Sequence, residues 1–83
     1  ARIHRLDPLL DSVVHLDAEA ARQGARCAER AIRAGDRLGA LNGVPVGIKD
    51  VIDVAGMPTT CHSKILAGNR PDRDAAVTRR LRE

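Results

Sequence analysis

Between Asp17 and Gly35 the apolar positions recur with a helical period: Ala18, Ala21, Ala25, Ala28 and Ile32 form one stripe. Glu19, Arg22, Arg26, Glu29, Arg30 and Arg33 form a charged face beside it, with Glu29 and Arg33 at the favourable i, i+4 spacing. A third face is small: Ala20, Gly24, Cys27, Ala31 and Ala34. Asp17 is placed to cap this helix, and Gly35 stands where a left-handed C-terminal cap belongs. The pattern changes over residues 43–54, GVPVGIKDVIDV, where apolar residues fall on both sides as they do in interior strands. Ser12 to Leu16 is a second candidate strand, with β-branched Val13 and Val14 at its centre. Residues 1–10 read as a short helical segment broken at Asp7-Pro8, and residues 36–42 as a turn-rich connection. Thr59 to Asp74 reads as loop with a brief helical turn at Ser63–Leu66. From Asp74 a further helix begins, capped by Asp72 or Asp74, with Val77 and Leu81 on one face. Helices alternating with a buried strand predict an α/β construction.

Composition limits what such a chain can do by itself. In 83 residues, 13 of the 36 hydrophobic side chains are alanine and none is Phe, Tyr or Trp. Aromatic residues normally supply the largest blocks of buried area, so the core is expected to be thin. Ala1 opens directly into structured-looking sequence, and the last helix meets no stop signal before Glu83. The chain therefore reads as a piece of a longer polypeptide, with sequence missing on both sides. No apolar run approaches the ~18 residues of a membrane span, which points away from a membrane partner. Two cysteines, Cys27 and Cys61, are too few for a disulfide scaffold and fit a reducing, cytoplasmic setting. The net charge of +3 includes a short basic end at Arg79, Arg80 and Arg82, but without stacking aromatics it points away from nucleic acid. His4 and His15 have no partner at metal-ligand spacing.

Lys49 is the unusual residue. The chain uses twelve arginines and two lysines, yet places a lysine inside its most apolar strand-like run. Arginine stays protonated, whereas a buried lysine can lose its proton near neutral pH and act as a general base. Gly47, two residues earlier, leaves room for a ligand or another backbone. The alternative is a lysine guarding a sheet edge, with Asp50 as its ion-pair partner.

The segment GVPVGIKD (43–50), followed by DVAGMPTT (53–60) and Cys61-His62-Ser63-Lys64-Ile65-Leu66, resembles the N-terminal region of the amidase signature family. RPDRDAAVTRRLRE (70–83) is similar to that family's next helix, and LDAEAA (16–21) to the opening of its long helix. The resemblance implies the N-terminal part of an amidase signature domain, a mixed central sheet flanked by helices, incomplete in this chain. It also implies a Ser–cisSer–Lys triad that hydrolyses small-molecule amides without a cofactor. The family's lysine maps onto Lys49, while Ser12 and Ser63 match neither triad serine. The chain alone is thus expected to be inactive, completed by the remainder of its own polypeptide, and a homodimer is one assembly that the resemblance leaves open.

Cys61-His62 stands where many members have a small residue and glycine. Its residues read either as a reactive thiol and a polar contact near substrate, or as a small buried cysteine and a loop histidine. Cys27 is assigned to helix packing. The Thr-Thr-Cys-His-Ser-Lys-Ile-Leu loop also resembles the amidase subunit of glutamyl-tRNA amidotransferase, which releases ammonia from glutamine and works with partner subunits. Residues 67–74 favour a general amidase over that alternative. A small non-enzymatic binding module is the reading from another class.

Overall fold

The computed structural model describes residues 2–83 and contains three helices: α1 (Arg2–Leu10), α2 (Ala18–Ala34) and α3 (Ala76–Arg82). No strand forms among these residues, so the expected mixed sheet is absent from the described chain. The physical reasons are local. A strand needs a neighbour for its amides and carbonyls, and the two candidate segments do not pair. The amides of Ser12 and Val13 turn back to the Asp7 carboxylate instead, at 2.9 and 3.0 Å. Residues 44–49 run without regular structure between a turn at Gly43 (φ 80°) and another in which the Ile52 amide donates to the Lys49 carbonyl.

α1 corrects a second expectation. Asp7-Pro8 does not break the helix, which continues through Pro8 to Leu10. The pair terminates it shortly afterwards: Asp11 adopts φ 48°, its amide donates to the Asp7 carbonyl at 2.7 Å, and the Asp7 carboxylate also accepts from the Ser12 hydroxyl at 2.9 Å.

α2 forms as its sequence pattern requires. The Asp17 carboxylate accepts from the Ala20 amide at 2.9 Å. At the other end Gly35 takes φ 73°, its amide donates to Ile32 and that of Asp36 to Ala31. This pair of bonds is a Schellman cap, which needs the left-handed conformation that glycine adopts without strain. Glu29 pairs with Arg33 at 2.7 Å and Glu19 with Arg26 at 3.2 Å, all on the solvated face. The packing side is open as well: no α2 residue is buried, and Ile32 faces solvent. Cys27, expected at a packed face, is exposed and accepts a hydrogen bond from Arg30.

The buried residues lie elsewhere. Among the described residues only Val54 (8% exposed), Thr59 (4%) and Thr78 (3%) are buried. They sit where residues 53–60 meet residues 69–78, a knot built from polar groups. The Ala75 amide and the Thr78 hydroxyl both donate to the Asp53 carbonyl, at 3.0 and 2.8 Å. Gly56 donates to Pro71, Thr59 to Asn69, and the Asn69 side chain returns a bond to Thr59. Asp74, expected as a helix cap, accepts from the Ala55 amide at 2.7 Å and pairs with Arg82 at 3.2 Å. α3 thus has no side-chain cap and is anchored by the knot. The radius of gyration is 14.5 Å, against about 12 Å for a compact domain of this length. No two helices pack together among the described residues, and none is long and apolar enough to cross a membrane.

Candidate active site

The knot's upstream edge is the Lys49-Asp50 pair. Asp50 is half-buried and acts as a hub. Its carboxylate accepts from the Thr60 amide at 2.7 Å, from the Thr60 hydroxyl, and from the His62 amide at 3.3 Å. Its carbonyl accepts from the Cys61 amide at 3.2 Å. The Thr60 hydroxyl holds the Asp50 carboxyl below the usual carboxylate range, reinforced by the Thr60 amide and, more weakly, by the amide and charge of His62; partial desolvation opposes this.

These bonds close a tight turn. The Ser63 amide donates to the Thr60 carbonyl at 2.8 Å, and the central residues Cys61 and His62 take φ 51° and 56°. Positive φ at both central positions marks a type I′ turn, which ordinarily selects glycine or asparagine. Cys61-His62 is therefore a backbone oddity. The expectation of a buried cysteine is corrected: both Cys61 and His62 are exposed.

Lys49 is exposed and makes no ion pair among the described residues. The expected dry surroundings do not form among the described residues, because Val46 and Val51 are 49% and 55% exposed and only Ile48 is half-buried. Asp50, the alternative partner for the lysine, is engaged by Thr60 and His62 instead. The space above Gly47 is open, as the sequence suggests. Ser12 is held by Asp7, and Ser63 sits in the turn with its carbonyl accepting from Leu66. Two hollows lie along α1, against residues including Ile3, Asp7 and Val13, and neither includes Lys49.

The sequence pattern singles out Lys49 but misses Asp50 and Thr60 as a unit. The signal that could find them is an acidic residue ten positions before a threonine that opens a turn too tight for its own side chains.

The amidase family model matches residues 1–83. Among curated proteins, the A subunit of glutamyl-tRNA(Gln) amidotransferase from Acidothermus cellulolyticus is 45% identical over 99% of this chain, which covers 16% of that protein. The same subunit from Chloroflexus aggregans is 48% identical over 98% of the chain (17% of that protein), and that from Salinispora arenicola 46% over 98% (16%). The chain thus spans 16–17% of the length of these relatives. No solved structure matches it. With the family pattern running through every residue and identities of 45–48% carried by the same segment, the chain belongs to the amidase family.

Proposed function

We propose that these residues form the lysine-bearing segment of the A subunit of a glutamyl-tRNA(Gln) amidotransferase. The single observation that supports this reading best is 45–48% identity to proteins of that name over 98–99% of the chain. It replaces the general amidase that residues 67–74 favour by sequence alone. The chemistry common to both is amide cleavage. Lys49, as the neutral amine, accepts a proton relayed through one serine from a second serine, whose oxygen attacks the glutamine side-chain carbonyl. The tetrahedral adduct then collapses, the C–N bond breaks, and the returning proton leaves with ammonia; water then cleaves the serine ester, releasing glutamate and restoring the hydroxyl. A serine hydroxyl is too weakly acidic to attack unaided near neutral pH and requires such a base within reach. In this reading the serines come from the further length that the relatives have.

Ammonia would then be delivered to the glutamyl-tRNA with partner subunits.

The test is ammonia transfer in the assembled full-length enzyme. Glutamine-dependent conversion of glutamyl-tRNA(Gln), lost in Lys49→Ala, supports the reading. Hydrolysis of simple carboxylic amides without any transfer returns the assignment to a general amidase. A polypeptide that does neither, while folded and complete, leaves the binding-module reading in place.

A further inference from the structure

Lys49 and Asp50 are neighbours in sequence but do not act on each other. A carboxylate paired with the lysine would hold the amine protonated, which is the wrong state for a base. The Asp50 carboxylate instead takes three donors from Thr60 and His62, while its carbonyl takes a fourth from Cys61. The Lys49 carbonyl also closes the turn to Ile52. The backbone on the C-terminal side of the exposed lysine is therefore fixed, to a turn whose own two central residues are held at positive φ.

We propose that Asp50 is a positioning residue for the Lys49 amine, clamping residues 49–50 to the Thr60–Ser63 turn so that the amine stays in register with the groups it must deprotonate. The proposal rests on the reading of Lys49 as the base. Its physical logic is entropic. A lysine side chain is long and flexible, and the fewer degrees of freedom its backbone retains, the larger the fraction of time it spends in the reactive geometry. Thr60 is part of the same clamp, because its hydroxyl donates to Asp50 and accepts from the His62 amide at 3.3 Å.

The experiment uses the full-length enzyme and follows ammonia release from glutamine. Displacement of a reacting group by ~1 Å costs about 100-fold in rate, so Asp50→Ala is expected to lower kcat by about that factor, with KM changed less than about threefold. Asp50→Asn keeps an acceptor for the Thr60 amide and is expected to recover to within about tenfold of the wild type. The pH at which kcat/KM falls on the acid side should stay in place in both variants, since Asp50 acts through geometry. A limb that moves in Asp50→Asn identifies Asp50 as the lysine's charge partner and overturns the proposal. So does an Asp50→Ala enzyme of normal kcat alongside a dead Lys49→Ala enzyme. Should Asp50→Ala not fold, Thr60→Ala removes only the hydroxyl: a loss of about fivefold restored by Thr60→Ser supports the clamp, and an unaltered rate rejects it. Normal turnover in Lys49→Ala removes the base itself, and that result is read apart from any Asp50 effect.

Discussion

The long helix and the knot are held by opposite kinds of force. α2 is the longest element, yet buries nothing; its order comes from an Asp17 cap, a glycine terminus and solvated ion pairs. Residues 53–60 and 69–78 contain no regular element until α3, yet they hold all the buried residues of the described chain. There, carboxylates and hydroxyls satisfy backbone groups across separations of 10 to 25 residues. Regular structure and fixed structure are thus different properties, and the candidate lysine is joined to the second.

The sharpest way to break the contrast is at Asp74, which both accepts from Ala55 and pairs with Arg82. Asp74→Ala removes a charge-assisted hydrogen bond and an ion pair at once and is expected to cost about 1–2 kcal/mol, read as a fall in the denaturant midpoint. Acid should loosen the Asp50 turn and the end of α1. Hydrogen bonds from Thr60 lower the Asp50 carboxyl, and those from Ser12, its amide first, lower the Asp7 carboxyl. A group whose folded pKa is depressed contributes stability that is complete above its unfolded value and is lost as pH falls through the folded one. Stability should therefore be level above about pH 5 and drop below about pH 4, and Asp50→Asn should make that drop shallower in a pH series of circular dichroism melts. A smaller and opposite effect is expected at Thr59, whose buried hydroxyl has no partner among the described residues. Thr59→Val removes an unsatisfied group at nearly constant shape and should raise stability by up to about 1 kcal/mol. Smallest of all, Glu29→Ala on α2 deletes the 2.7 Å pair with Arg33 and should shift stability by less than about 0.5 kcal/mol.

The same contrast separates what the sequence makes legible from what it hides. The limits of α2 are legible because caps are local: Asp17 acts three residues away, and Gly35 answers a single dihedral requirement. The turn at Ser63–Leu66 is legible for the same reason. The run 43–54 misleads because its apolar content suggests a buried strand, whereas Val44, Val46 and Val51 stay exposed and the described residues supply no partner for its backbone. Asp74 resembles a cap because its sequence proximity to α3 hides a bond to Ala55, 19 residues away. At the candidate site, residue type marks Lys49, but the clamp around Asp50 depends on a turn conformation that Cys61 and His62 do not advertise.

Amide hydrogen exchange, resolved by residue, tests the division most directly. The amides of Ala55, Gly56, Thr59, Thr60 and Ala75 should exchange more slowly than those in the middle of α2, by about tenfold or more. Faster exchange in the knot than in α2 would contradict the account, since it would place the helix, rather than the polar web joined to Lys49, as the fixed part of the chain.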